Sequence, residues 1–139
     1  MLKLQSLRAD TAKENDGDWR DLPDLPGVYI KVRSIHYGPF TIARNLATQK
    51  LSRKYGRGKI IPPEVDAEVS GELIADHLLL DWRGLDEPYS PETARRVLTD
   101  YGFREFAAMI LTASTEIGRA ETEFVEDARG NSAPLSAGS

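Results

Sequence analysis

The sequence predicts a mainly α-helical protein of the α+β class, with a short N-terminal β-hairpin followed by a bundle of four to five helices. Apolar residues recur at three- and four-residue steps through much of residues 39–117, which is typical of helices that bury one face. Residues 28–33 instead alternate between apolar and polar side chains, which indicates a strand. With 139 residues, 40% hydrophobic and 29% charged, the chain is expected to form one domain.

The predicted domain covers residues 19–128 and lies between two weakly structured ends. Residues 1–18 are polar and contain the turn-prone run Asn-Asp-Gly-Asp, so weak order is expected there. Residues 129–139 are small and polar, and they are expected to form a flexible C-terminal tail. The hairpin is predicted at residues 19–22 and 28–35. Two strands alone are marginal in water, so helices or another subunit must cover them.

The first long helix is predicted to begin at Pro39, because a proline loses nothing at the first helical position. Gly56 and Gly58 are expected to end it. Its predicted inner stripe consists of Phe40, Ala43, Leu46, Ala47, Lys50, Leu51 and Tyr55. The opposite face is predicted to be cationic, with Arg44, Lys54 and Arg57.

The second long helix is predicted to begin at Pro62-Pro63-Glu64 and to continue until Gly84. Its inner stripe is Val65, Val69, Leu73, Ile74, Leu78 and Trp82. Gly71 is expected to weaken the middle of this helix by roughly 1 kcal/mol relative to alanine.

A corner follows this helix, and two further helices follow the corner. Ser90 suits the N-cap of a short helix at residues 91–98, with Pro91 in its first position. Trp82 and Tyr89 are expected to close the bend by packing across it. The last clear helix has the stripe Phe103, Phe106, Ala107, Ile110, Leu111, Ser114 and Ile117. Residues 120–128 can add a further turn or two.

The residues offer little for catalysis or metal binding. The chain has no cysteine, no pair of histidines at ligand spacing, no phosphate-binding loop and no nucleophile motif. We therefore expect no enzymatic activity, no metal site and no cofactor. No apolar run approaches the roughly 20 residues that cross a bilayer, and the polar start does not look like a secretory leader. A soluble protein that is neither exported nor bound to a membrane is expected.

Charge is strongly segregated along the chain, although the net charge is only −4. Residues 31–59 contain eight basic residues and no acid, whereas the chain from Ile60 onward contains 16 acids and six arginines. The basic side chains on and just after the first long helix are the candidate partner-binding residues: Arg44, Lys50, Arg53, Lys54 and Arg57. Acids of the next helix, or of a neighbouring subunit, can complement them; contact with nucleic acid is less favoured, and a merely solvated face is the third alternative.

The corner carries a motif that resembles a known family. Trp82-Arg-Gly84, a short acidic turn, and then Pro88-Tyr89-Ser90-Pro91-Glu92 resemble the tail assembly chaperones of long-tailed bacteriophages. The run Leu-Pro-Asp-Leu-Pro-Gly-Val at residues 22–28 and the basic run at residues 53–58 are similar to the same group. The motif residues themselves suit capping and packing, so their expected role is mainly structural.

The resemblance implies a small helical protein that binds the tape measure protein, keeps it soluble and promotes assembly of the tail tube around it. It also implies location in the cytoplasm of the infected host, absence from the mature virion, and in many members a frameshifted longer form that recruits the tail-tube protein. Self-association is expected from the segregated charge. The alternatives are a structural head–tail connector or tail component of the particle, or a small nucleic-acid-binding regulator. Our hypothesis is that the cationic side chains meet an acidic neighbour or the tape measure protein.

Overall fold

The computed structural model describes residues 1–126, and the protein belongs to the mainly helical α+β class that the sequence predicts. Five α-helices and three β-strands occur within those residues. In chain order they are α1 (Thr11–Asp16), β1 (Asp18–Asp21), β2 (Tyr29–Val32), α2 (Gly38–Tyr55), α3 (Pro63–Leu73), β3 (Leu79–Arg83), α4 (Pro91–Leu98) and α5 (Arg104–Ser114). Short 3₁₀ helices lie at Leu4–Leu7 and Tyr101–Phe103, and a π-helical segment lies at Ile74–Leu78.

The chain forms two compact units. The larger unit, Thr11–Gly118, contains the buried hydrophobic residues from Leu22 to Ile117. In the smaller unit, residues 1–10 meet the segment that starts at Arg119: Leu2 and Phe124 form a β-bridge, and the Lys3 ammonium lies 2.8 Å from a Glu123 carboxylate oxygen. The helix predicted at residues 120–128 is wrong over residues 120–126, which contain no helix and pair with the start of the chain instead. The predicted tail at residues 129–139 lies outside the described residues.

Residues 1–18 have more regular structure than their composition suggests. Residues 4–7 are helical, and α1 occupies most of residues 11–18. Long-range bonds hold α1 in place, because the Ser34 amide donates to the Glu14 carbonyl at 3.1 Å and Arg33 Nε donates to the Asn15 carbonyl at 2.8 Å. Partners so distant in sequence leave no local pattern, so composition alone could not predict this helix.

The strands form one antiparallel sheet in the order β1-β2-β3. The predicted hairpin is confirmed, with Trp19 opposite Lys31, and the alternation of β2 places Ile30 and Val32 in the core. The third strand was not predicted. Leu79–Arg83 was expected to be the end of a helix, but it pairs with β2 and sets Trp82 opposite Ile30. The apolar residues of this segment fit both the helical period of about 3.6 residues and the strand period of two. The segment forms a strand because it pairs with the free edge of β2.

The long helix predicted from residue 62 to Gly84 therefore ends early. Helix α3 stops at Leu73, and the π-helical segment turns the chain into β3. Gly71 has a role that the sequence did not indicate: a Cβ atom there would collide with the Leu98 carbonyl oxygen at the end of α4. Glycine therefore allows α3 and α4 to approach each other closely.

The predicted corner is confirmed. Trp82 Nε1–H donates to the Glu87 carbonyl at 2.8 Å, and the Tyr89 hydroxyl donates to the Leu79 carbonyl at 3.3 Å. The two rings meet edge-to-face with centroids 5.4 Å apart. Gly84, at φ 90°, ends the strand where a side chain would collide with the Gly27 carbonyl. Ser90 Oγ accepts the Thr93 amide N–H at 3.0 Å, as an N-cap should.

Candidate protein-interaction surface

Helix α2 leaves most of its surface uncovered. Phe40 is the one buried residue of its 18, all of which the structure describes. Ala43, Ala47, Leu51 and Tyr55 follow at one-turn intervals and are half-buried. Pro39 lies in the first turn, and Gly56 at φ 89° ends the helix, as the sequence predicts. The helix is thus held along a single narrow line, which leaves wide flanks for contact with another molecule.

Arg33 holds the residue that precedes α2, Tyr37, in place. Its guanidinium lies 4.4 Å from the centroid of the Tyr37 ring, and its Nη1 donates to the His77 carbonyl at 3.1 Å. Because Arg33 also bonds to the Asn15 carbonyl, it joins the start of α2 to α1 and to the π-helical segment. One of the eight basic residues counted in the sequence is therefore committed to the fold.

The five candidate cations are all exposed, and no ion pair joins them to an acid within residues 1–126. They are Arg44, Lys50, Arg53, Lys54 and Arg57. They do not share one face: at roughly 100° per residue, the four on α2 are spread over about half of its circumference. Arg44 and Lys54 flank the half-buried line, so the prediction that they lie opposite it is wrong. Arg57 follows the helix, in the turn after Gly56.

The side of α2 that faces away from the core carries two exposed aliphatic residues. Ile42 is 64% exposed and Leu46 is 60% exposed. The prediction that Leu46 lies on the inner stripe is wrong. The half-buried residues of α2 are spaced four apart from Ala43 to Tyr55, and Leu46 is not one of them. This outer side continues through Gln49 to Arg53, so it combines apolar and cationic character.

A cleft of about 350 Å³ separates α2 from α3, and we call it the α2–α3 cleft. Its apolar lining consists of Ala47, Leu51, Val65, Val69 and Leu73. Lys50 and Lys54 line it from α2, whereas Glu68 and Glu72 line it from α3. This arrangement agrees with the expectation that acids of the second long helix lie opposite the basic helix. A Glu72 carboxylate oxygen lies 3.1 Å from Arg95 Nη2.

A second, more apolar cavity of about 320 Å³ borders the corner, and of the motif residues Trp82 lines it. Its lining includes Leu25, Trp82, Leu85, Val97, Phe103 and Phe106. At the rim, Arg96 and Glu87 form an ion pair at 2.6 Å. Burial raises the pKa of the Tyr89 phenol, and the nearby Asp81 carboxylate adds to that effect. Pro88, Pro91 and Glu92 are exposed; Pro91 begins α4, and Glu92 lies in its first turn.

Residues 1–126 lack two features that other classes of site would require. No group of three or more histidine, aspartate or glutamate side chains is arranged to hold a metal ion in that part of the chain. No helix there is both long enough and apolar enough to cross a membrane.

A protein family model matches most of the helical part of the chain. The model of the YdaY prophage protein family matches residues 35–131, a region that contains α2, α3, β3, α4 and α5. No curated protein and no solved structure gives a significant match. The family match covers well over half of the chain and includes the α2–α3 cleft and the corner. The protein therefore belongs to the YdaY prophage protein family and is of phage origin.

Proposed function

We propose that this protein is a phage tail assembly chaperone, which binds the tape measure protein, keeps it soluble and promotes assembly of the tail tube around it. The observation that carries the proposal is helix α2, which exposes both aliphatic and cationic side chains along most of its length. Membership of a prophage protein family supports a role in the phage life cycle. The corner at residues 82–92, which resembles that of tail assembly chaperones, supports the narrower assignment.

A tape measure protein is long and helical, so a chaperone for it must cover apolar helical stripes repeatedly and reversibly. Helix α2 suits that task because another helix can lie along it. Burying one aliphatic side chain at such an interface contributes about 1–2 kcal/mol, and an exposed ion pair contributes about 0–1 kcal/mol. A few such contacts per copy give weak individual binding, which is what a removable coat requires.

The protein acts without enzymatic activity in the cytoplasm of the infected host, associates with copies of itself along the tape measure protein, and leaves before the virion is complete. A frameshifted longer form, which would be written in the nucleotide sequence, would recruit the tail-tube protein.

Two measurements test the proposal. The first is co-expression with the tape measure protein of the same prophage: the soluble fraction of that protein should rise, and the two should co-purify. The second is mass spectrometry of purified particles, in which a chaperone should be absent. A tape measure protein that stays insoluble and unbound contradicts the proposal. Presence of the protein in particles at a fixed copy number instead supports a connector or tail component.

A further inference from the structure

We infer that the α2–α3 cleft is the groove that receives one amphipathic helix of the partner, with apolar side chains on the floor and charged side chains on both rims. The inference rests on the proposed function, since it names the surface and the chemistry of that binding. The alternative surface on α2 is its outer side, with Ile42 and Leu46.

The shape of the two surfaces favours the cleft. The outer side is convex and offers two aliphatic side chains, whereas the cleft is concave and offers five apolar residues from two helices. Concave apolar grooves between helices are a recurrent site for an amphipathic helix, which inserts residues spaced three and four apart.

The spacing along the cleft matches a helix. Ala47 and Leu51 are four residues apart on α2, and Val65 and Val69 are four residues apart on α3. Such pairs are separated by about 6 Å along a helix axis, at 1.5 Å per residue. A docked helix places its own i and i+4 side chains at the same interval, so successive apolar residues of the partner meet successive pairs of the floor.

The rims specify the charge of the occupant. Lys50 and Lys54 stand one turn apart on one rim, while Glu68 and Glu72 stand one turn apart on the other. Arg95 already pairs with Glu72, which leaves two lysines and Glu68 without an ion pair among residues 1–126. The fitting partner is therefore a helix with acids along one flank and fewer bases along the other. Nucleic acid fits poorly, because the glutamates would repel phosphates and the floor offers them no donors.

Lys54 and Arg53 allow a sharp test, because they are neighbours in sequence but lie on different sides of α2. Lys54 lines the cleft with Lys50, and Arg53 does not. The double variant Lys50→Glu with Lys54→Glu should weaken retention of the tape measure protein about tenfold, because it replaces attraction by repulsion on one rim. The variant Arg53→Glu with Arg57→Glu makes the same charge change at candidate residues outside the cleft, so it tests the competing surface. A smaller loss of retention than in the Lys50/Lys54 variant supports the cleft, and an equal or larger loss overturns the inference.

A second pair of variants tests the floor without a change of charge. Ala47→Trp should fill the cleft and block the partner, whereas Asn45→Trp adds the same ring at an exposed position outside it. Circular dichroism should give the same helix content for all variants. Retention should be measured by titrating the purified protein, wild-type or variant, against the immobilised tape measure protein.

The outcomes separate the inference from the proposed function. If the wild-type protein does not retain the tape measure protein, both fail. If it does, but the Lys50/Lys54 and Ala47 variants retain it equally well, the cleft is not the groove and the proposed function stands. If the purified protein alone is oligomeric and Lys50→Glu with Lys54→Glu makes it monomeric, a second copy occupies the cleft and the inference is overturned.

Discussion

Gly71 lies inside helix α3, where helix propensity and packing predict opposite effects of an alanine. Propensity favours Gly71→Ala by about 1 kcal/mol. Packing opposes it, because the added Cβ would collide with the Leu98 carbonyl oxygen and the backbone cannot yield as a flexible side chain could. Overpacking of this kind costs typically about 1–3 kcal/mol. We expect Gly71→Ala to lower the free energy of unfolding by about 1–3 kcal/mol, measured by urea denaturation.

Gly38→Ala provides the control for this substitution. Gly38 begins α2, and a Cβ there would meet no atom within 4 Å. Its replacement should leave the free energy of unfolding unchanged or raise it slightly. Equal effects of the two substitutions would mean that α3 and α4 do not approach each other as closely as described.

Tyr89 makes stability depend on high pH. Its phenol is desolvated and faces Asp81, so its pKa in the folded protein lies above the ordinary value of 10.0. The folded state thus holds the proton more tightly than the unfolded state. The stability associated with the neutral phenol is complete below pH 10 and is lost as the pH rises through 10 and beyond.

The substitution Tyr89→Phe should separate two contributions of this residue. At pH 7 it removes the hydrogen bond to the Leu79 carbonyl and should cost about 0.5–1.5 kcal/mol. Above pH 10 the gap between wild-type and variant should shrink, because the variant has no phenol to ionise. Urea denaturation at a series of pH values, with the exposed Tyr29→Phe as control, measures both. A constant gap at all pH values would show that the Tyr89 phenol is not desolvated.

The elements that sequence reasoning placed correctly are those governed by local chemistry. Helix α4 begins where Ser90 and Pro91 predict, and α2 spans from the proline region near its start to Gly56. Strand β3 was missed because residues 79–83 are apolar enough for either a helix end or a strand, and the choice depends on the free edge of β2. Such a partner lies about 50 residues away in the sequence, beyond the reach of periodicity.

The candidate surface could be predicted only in part, because the sequence shows which residues are charged but not how the helices pack. The basic residues of α2 and the acids of α3 were visible in the sequence, and the structure places Lys50 and Lys54 in one cleft with Glu68 and Glu72. Which side of α2 is buried was not visible, because its apolar residues surround much of the helix. For this reason the sequence placed Leu46 on the wrong side of the helix. Only the packing of α2 against α3 shows that Lys54 lines the cleft and Arg53 does not.

The cap of α4 gives a prediction at the scale of one element. Ser90 Oγ accepts the Thr93 amide N–H at 3.0 Å, and Ala94, Val97 and Leu98 bury the helix that follows. Loss of an N-cap acceptor costs typically about 1 kcal/mol. Ser90→Ala should therefore lower the free energy of unfolding by about 1 kcal/mol. Ser90→Asp should keep most of the stability that the cap contributes, because aspartate also accepts a hydrogen bond at this position. The exposed Ser70→Ala on α3 is the control for the loss of a hydroxyl. No difference between Ser90→Ala and Ser70→Ala would rule out the cap as a source of stability.

On the scale of the whole molecule, the hydrophobic core found within residues 1–126 lies in the larger of the two compact units. Every buried residue of the core cluster lies between Leu22 and Ile117, inside the unit Thr11–Gly118. In the described part of the smaller unit, residues 1–10 and 119–126 are joined by backbone hydrogen bonds, by the Ser6 hydroxyl and by the exposed ion pair of Lys3 with Glu123. Burial of apolar surface dominates folding stability, whereas an exposed ion pair adds about 0–1 kcal/mol. The larger unit should therefore carry nearly all of the stability.

A variant restricted to residues 11–118 tests this distribution. It keeps the sheet, the corner and the α2–α3 cleft, so we expect one cooperative thermal transition, followed by circular dichroism, within a few degrees of the full chain. The edge-to-face contact of Trp82 with Tyr89 should preserve the near-ultraviolet signal. The control is the full chain with Lys3→Ala, which removes the ion pair to Glu123 alone and should leave the transition unchanged. A broad transition, or loss of the aromatic signal in the shortened variant, would mean that the terminal segments contribute to the core beyond the contacts described.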